Sequence, residues 1–272
     1  MNSITTFGNK GNFNVIYPTN YQELLNIFLE YNKNMTKYAL IGGGSNTLIN
    51  EEYNGKIIKL TKMKYNYQIL SNCIYTSAFY PTTNFVLDIS QKGFDYSFLA
   101  GIPGLIGGAI FNNAGAFEKN IGDFILYVDF LNKAGKITRF YNDNLLFSYR
   151  YSIFKDIEGI IIGAAFKKIP GTNIKEKINQ NLEIRRKKLP NNLSLGSVFK
   201  NNQLIKAWRV ISELNLRGYQ VNDAAFSNKH ANIIINLGDA KFKDAYKLIR
   251  IAKEKAMDKF GIKLEEEISI IE

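Results

Sequence analysis

The sequence predicts an α+β protein of two or three small units, on three observations. A helix, a strand, a glycine turn and another strand follow one another within about thirty residues near the amino terminus. A hydrophobic share of 46% and an aromatic share of 13% across 272 residues provide enough apolar surface for real cores. A long amphipathic helix followed by a last strand closes the chain.

The elements are justified in order. Asn20 followed by Glu23, with Leu24, Ile27, Phe28 and Tyr31 at helical spacing, predicts a capped amphipathic helix ending near Asn34. A strand over 38–41 runs into Gly42-Gly43-Gly44-Ser45-Asn46, and the apolar Thr47-Leu48-Ile49 follows. Apolar strands over 56–60 and 73–78 precede a helix over about 83–91, closed by Gly93. A second glycine-rich segment covers 99–117.

Beyond it, 127–131, Gly135 and 137–141 predict a hairpin, 159–167 a strand, and Pro170-Gly171 a boundary between domains. A basic helix ending at Lys188-Leu189-Pro190, a Ser/Gly loop, a helix over 207–214 and a strand over 231–236 come next. In the long helix over 241–259, Phe242, Ala245, Tyr246, Ile249, Ala252 and Ala256 share one face at core spacing. A strand over 267–271 ends the chain.

Composition excludes several functions. Cys73 is the single cysteine and His230 the single histidine, so disulfide, thiol and metal-cluster chemistry are set aside and no metal is expected. No apolar run is long enough for a bilayer span, and residues 1–20 lack a basic stretch followed by an apolar one, which predicts a cytoplasmic protein. The formal charge of +11 suits either nucleic acid or phosphorylated small molecules. Its basic residues are dispersed, and the densest cluster, Arg185-Arg186-Lys187-Lys188, is short.

The glycine segments carry the functional signal. Glycine tolerates positive φ and lets main-chain N–H groups approach a ligand, so a glycine run after a strand can wrap a diphosphate, with Ser45 and Asn46 adding side-chain donors. In Ala100-Gly101-Ile102-Pro103-Gly104-Leu105-Ile106-Gly107-Gly108-Ala109 and Asn112-Asn113-Ala114-Gly115-Ala116, five glycines and four alanines fall within seventeen residues. Such density fills a core poorly and suits close packing against something flat. Neither segment has the glycine spacing of a dinucleotide fold, and no Gly-Lys-Ser/Thr marks a P-loop.

With four further blocks in order, these segments resemble the bacterial UDP-N-acetylenolpyruvoylglucosamine reductase family, within the vanillyl-alcohol-oxidase type flavoproteins. The blocks are Tyr149-Arg150-Tyr151-Ser152-Ile153-Phe154-Lys155, Gly196-Ser197-Val198-Phe199-Lys200-Asn201, Ala225 with Ser227-Asn228-Lys229-His230-Ala231-Asn232, and Leu264-Glu265-Glu266-Glu267-Ile268. The likeness covers about 5–271. It implies a two-subdomain FAD-binding PCMH-type domain over 1–170, with subdomains of about 1–60 and 61–170, and a C-terminal α+β substrate-binding domain over 171–272.

By the same resemblance FAD lies against Gly42, Gly43, Gly44, Ser45, Asn46, Gly101, Ile102, Pro103, Gly104, Gly107, Gly108, Asn113, Gly115 and Ala116. NADPH is the co-substrate and UDP-N-acetylglucosamine enolpyruvate the substrate of a monomeric enzyme that binds neither nucleic acid nor membrane. Hydride goes to the β-carbon of the enolpyruvyl ether and a proton to the α-carbon. The negative charge driven onto the substrate carboxylate needs fixed donors or cations, and the resemblance assigns Arg150 and Glu267 there, with Ser197 as proton donor. A protonated Glu267, its pKa raised by burial and by the anionic intermediate, fits that role. Lys200 and nearby amides would help acidify Ser197. Tyr149, Lys188 and Asn201 correspond to positions holding the substrate diphosphate and sugar, and His230 to a polar wall, its imidazole expected to bond a backbone carbonyl.

Some positions depart from the pattern. Asn202 replaces a usual proline and Asn215 a common glycine, and the block Thr5-Thr6-Phe7-Gly8-Asn9-Lys10-Gly11 is poorer in glycine than is usual. Only Asn202, Gln203, Leu204 and Ile205 lie between the Ser197 loop and the next helix, too few for the tyrosine-bearing insertion of the larger type. Two rivals stay open: another flavin oxidase of the superfamily, sharing the glycine loops but lacking Arg150, Ser197 and Glu267 together, and a basic module binding RNA or DNA.

Overall fold

A computed structural model describes residues 2–202 and 205–272; the expected short connection through Gln203 and Leu204 lies outside the described residues. Along the chain run β1 (Asn14–Ile16), α1 (Tyr21–Lys33), β2 (Tyr38–Ile41), β3 (Thr47–Ile49), β4 (Lys56–Lys59), β5 (Tyr67–Ile69), β6 (Cys73–Ser77), α2 (Thr82–Ser90) and α3 (Ile106–Phe111). Then follow β7 (Ile125–Asn132), β8 (Ile137–Tyr141), β9 (Gly159–Lys167), α4 (Ile174–Lys188), β10 (Ser194–Ser197), α5 (Ala207–Glu213), β11 (Gln220–Val221), β12 (Ala224–Phe226), β13 (Ile233–Asn236), α6 (Phe242–Phe260) and β14 (Ser269–Ile271). The class is α+β, as expected.

The chain forms two compact units that interleave in sequence. One comprises Val15–Gly43 and Gly55–Arg185, the other Met1–Asn14, Gly44–Asn54 and Arg186–Glu272. In the first, β2 and β4 pair in parallel beside β1, and an antiparallel sheet has the order β8-β7-β9-β6-β5. Helix α1 begins where predicted: the Asn20 side chain accepts the Glu23 N–H, and Glu23 returns a carboxylate oxygen to Thr19 N–H. Its Leu24, Phe28 and Tyr31 pack with Ile58 and Leu131. A larger core gathers Phe85, Tyr96, Phe98 and Phe166, whose rings meet edge-on or tilted.

In the second unit, an antiparallel sheet has the order β10-β13-β12-β11, and β3 pairs in parallel with β14. Phe242, Ala245, Ile249, Ala252 and Ala256 of α6 are buried with Leu48, Val198, Phe199 and Phe226, and Tyr246 packs partly buried against them. Gly261 at φ +64 ends α6 in the left-handed conformation.

Three local expectations are corrected. The second glycine segment contains a helix, α3, although glycine costs about 1 kcal/mol in a helix; burial of Ile106 and Ile110 outweighs that cost. The Ser/Gly loop before α5 contains strand β10, held by pairing with β13 rather than by its own propensity. Strands β13 and β14 each start two residues later than predicted, at Ile233 and Ser269. Asn215, standing for a glycine, takes φ +56, a left-handed conformation that asparagine tolerates better than most residues.

Candidate active site

In the first unit the two glycine segments meet backbone to backbone. A Cβ built on Gly43 would lie 2.6 Å from Gly104 Cα, and one on Gly42 would touch the Leu105 side chain. Gly104 adopts φ +107, with its carbonyl accepting from Thr82 N–H at 3.0 Å. Within α3 the paired glycines differ. Gly107 presses on β6 territory, where a Cβ would meet Ala78 Cβ at 3.1 Å and its N–H donates to the Ala78 carbonyl at 2.7 Å. Gly108 is exposed, with nothing within 4 Å of its Cβ direction.

The end of this segment joins the Tyr149 block. Asn113, buried and at φ +42, donates through Nδ2 to the Ser148 carbonyl at 2.7 Å and accepts the Gly122 N–H at Oδ1. Ser148 and Tyr151 exchange backbone hydrogen bonds across a two-residue turn, which puts Tyr149 and Arg150 at its tip. Arg150 holds φ +55, an unusual conformation for a long side chain. Its guanidinium donates to the carbonyls of Asn113 at 3.5 Å and Gly115 at 3.4 Å and lies 5.0 Å from the centre of the exposed Tyr149 ring. Gly115 itself opens a small hairpin, where a Cβ would collide with Asn120 Oδ1 and the Lys119 carbonyl.

Two groups beside these glycines escaped the sequence reading. Asn112 donates from Nδ2 to the Gly108 carbonyl at 3.3 Å, while its buried Oδ1 has no hydrogen-bond partner among the described residues. Arg185 of α4 donates from Nε to the Gly101 carbonyl at 3.1 Å, with Gly101 at φ +74. Helical spacing from Asn181 through Arg185 was the readable signal, because Asn181 bonds the Ser97 carbonyl one turn earlier.

The second unit collects the other assigned residues. Thr6 ties the start of the chain to both Gly44 and β10: its N–H donates to the Gly44 carbonyl at 3.0 Å and its hydroxyl to the Ser194 carbonyl at 2.9 Å. Gly196 turns at φ +71, where a Cβ would come 3.1 Å from the Ser45 carbonyl. Asn46 Nδ2 donates to the Glu267 carbonyl at 2.9 Å, and Glu267 N–H donates to the Val198 carbonyl at 2.7 Å. Hydrogen bonds thus draw together the stretches around Asn46, Val198 and Glu267, and the Ser197 and Glu267 side chains are half-buried.

The neighbouring acids are engaged elsewhere. Glu265 lies 3.5 Å from the Lys200 ammonium, and Glu266 accepts from Lys253 at 2.7 Å. The pairing with Glu265 offsets the Lys200 charge that the sequence reading directed at Ser197. Asn201 caps α5 by accepting the Ala207 N–H at 3.0 Å, and Asn202, in place of a proline, accepts the Ile205 N–H. Lys188 is exposed on the last residue of α4.

His230 departs from expectation. Its backbone N–H and that of Lys229 donate to Ser227 Oγ, but the buried imidazole Nδ1 has no hydrogen-bond partner among the described residues. Burial pushes the imidazole pKa down, with nearby Arg217 adding to the effect. Among the described residues no group of histidine, cysteine or acidic side chains could hold a metal ion, and no helix is long and apolar enough to cross a membrane.

The residues fit a flavin nucleotide: a backbone surface where glycines touch, open space over Gly108 and an orphaned acceptor at Asn112 lie along one segment. The fold and this surface define a protein with an FAD-binding domain, and a model of that domain matches 14–141. A model of the UDP-N-acetylenolpyruvoylglucosamine reductase C-terminal domain matches 188–271. The chain belongs to the UDP-N-acetylenolpyruvoylglucosamine reductase family. It is 33% identical to that reductase from Halalkalibacterium halodurans over 94% of this chain and 87% of the relative. Identity to the Aquifex aeolicus reductase is 36%, over 86% of this chain and 80% of that one. The crystal structure of the Thermus caldophilus enzyme superposes with a TM-score of 0.83 at 26% identity, covering 99% and 96% of the two chains.

Proposed function

We propose that the protein reduces UDP-N-acetylglucosamine enolpyruvate to UDP-N-acetylmuramate with NADPH and bound FAD, a step of peptidoglycan precursor synthesis. The observation that supports this most is the shared backbone frame of Ser197 and Glu267, in which Glu267 N–H bonds the carbonyl of the residue after Ser197. A different flavin oxidase has no need of a hydroxyl and a carboxyl in register beside a glycine loop.

FAD, when bound along the glycine segments, would supply the hydride-transfer chemistry that links NADPH to the β-carbon of the enolpyruvyl ether. The chain's own residues manage charge and one proton. The Arg150 guanidinium, braced on the carbonyls of Asn113 and Gly115, stabilises negative charge developing on the substrate carboxylate. Glu267, in its protonated form, shares that task. Ser197 Oγ–H delivers the proton to the α-carbon, a feasible transfer for a weak acid because the enolate-like carbon is a strong base. Tyr149, Lys188 and Asn201 hold the diphosphate and sugar. The same reading takes 1–170 as the FAD-binding portion and 171–272 as the substrate-binding portion of a cytoplasmic monomer.

The test is spectral. The purified protein should be yellow, NADPH should bleach it without substrate, and the enolpyruvyl substrate should then restore the colour anaerobically. A colourless preparation that takes up no added FAD ends the proposal.

A further inference from the structure

Arg185 bears a permanent charge in a setting that offers it little. Its guanidinium is half-buried, and burial lowers its pKa from the usual arginine value. Among the described residues its one hydrogen bond is the donation from Nε to the neutral Gly101 carbonyl. A guanidinium presents five N–H donors in a planar fork, so the Nη edge is left for something else.

That edge is held in place rather than loose. The side chain lies flat on Gly101, where a Cβ would meet Arg185 Nε and Leu182 Cδ2, each at 3.0 Å. Successive turns of α4 are fastened to the same stretch of chain: Lys177 Nζ to Asp95 at 2.8 Å, Asn181 Nδ2 to the Ser97 carbonyl at 2.9 Å, then Arg185 to Gly101. A fork fixed in this way binds an anion without first giving up rotamer freedom. Arg186, Lys187 and Lys188 follow directly in the last turn of the helix, and their charges raise the local positive potential.

We propose that the Nη edge of Arg185 binds a phosphate oxygen of a nucleotide ligand, making the junction of α4 and Gly101 a phosphate subsite. The proposal rests on the flavoenzyme reading, in which flavin, dinucleotide and sugar nucleotide all carry phosphates. Planar bidentate donation suits two phosphate oxygens, and a desolvated cation gains more from a dianion than from water.

The test compares full-length wild type, Arg185→Gln, Arg185→Lys and Leu182→Ala. Apoprotein is titrated with FAD and with riboflavin, and flavin-loaded protein with NADPH, NADH, UDP and uridine, each followed by fluorescence or absorbance. Arg185→Gln should weaken one phosphate-bearing ligand by about tenfold to a hundredfold relative to its phosphate-poor counterpart. Which pair separates identifies the source, whether flavin diphosphate, the 2′-phosphate of NADPH or the sugar-nucleotide diphosphate. Arg185→Lys should recover part of the loss, whereas Leu182→Ala, which removes packing but no charge, should lower the melting temperature and leave every ratio unchanged. Unchanged ratios in Arg185→Gln, including a uniform drop with riboflavin and uridine falling equally, would overturn the proposal and leave Arg185 a brace for the loop. Wild type that binds no flavin sinks the flavoenzyme reading instead.

Discussion

Glu267 N–H donates to the carbonyl of Val198 at 2.7 Å, so the acidic run is locked in register with the strand that ends at Ser197. Register sets the phase of the three consecutive glutamates, with Glu265 and Glu267 on one side of the extended segment and Glu266 on the other. Side chains alternate along an extended segment, and the bridge between Phe199 and Glu266 fixes the phase.

Glu267→Gln is therefore expected to slow substrate reduction by about two orders of magnitude or more. Glu265→Gln and Glu266→Gln, which remove an exposed partner of Lys200 and a half-buried partner of Lys253, should stay within about threefold of wild type, since they break ion pairs without touching the reacting groups of the proposed mechanism. Steady-state kinetics of the three variants decide the assignment; a larger loss at Glu266 would move the role there.

Ser197→Ala should separate the half-reactions. Flavin reduction by NADPH should remain near normal, and reoxidation by the enolpyruvyl substrate should slow by about 10² to 10⁴, the scale of lost acid catalysis. Stopped-flow absorbance reads both. Equal losses in the two halves would mean that Ser197 shapes the site without donating a proton.

The glycines of the two segments divide into tightly packed and open positions, and alanine tells them apart. Gly43→Ala forces a Cβ to within 2.6 Å of Gly104 backbone and should cost about 1–3 kcal/mol in stability. Gly108→Ala meets open space in a helix, so the apoprotein should gain up to about 1 kcal/mol while FAD affinity falls. Thermal unfolding of the apoprotein and flavin titration together check the contrast. Gly108→Ala with unaltered flavin binding would show that the open face serves no cofactor.

His230 sets a pH dependence of stability. Burial lowers its folded-state pKa below the ordinary value of about 6.5, so the unfolded chain binds the proton more readily. The contribution is complete above about pH 6.5 and is lost as pH falls through the folded-state value. Melting temperatures measured from about pH 8 down to about pH 5 should decline less steeply in His230→Asn than in wild type, a difference that vanishes if the imidazole titrates normally.

How much could be read beforehand follows from the range of the forces involved. Helix α1 and its Asn20 cap were legible because capping and 3.6-residue periodicity are local. Strand β9 was legible end to end, since Ile160, Ile161, Ala164, Ala165 and Phe166 form an apolar run buried within a sheet. Strand β10 was not, because Ser194-Leu195-Gly196-Ser197 has turn composition and becomes a strand only by pairing with Ile233 and Ile235. Helix α3 was hidden by Gly107 and Gly108, whose poor helix preference is outweighed by burial of Ile106 and Ile110. At the site, motif order pointed to Ser197 and Glu267 as candidates, but the contact between Gly43 and Gly104 and the orphaned Asn112 oxygen depend on distant segments meeting. No periodicity in the sequence reports those meetings.

The parallel pairing of Thr47–Ile49 with Ser269–Ile271 carries a consequence for biosynthesis. The two strands flank the Gly55–Arg185 stretch in sequence, so their pairing waits until Ser269–Ile271 has been synthesised, whereas the Val15–Gly43 and Gly55–Arg185 unit has its full complement of residues sooner. Vectorial synthesis therefore leaves Leu48 and Ile49 without their partner strand after the other unit can already fold, and a lesion that removes Ser269–Ile271 would leave that edge permanently uncovered.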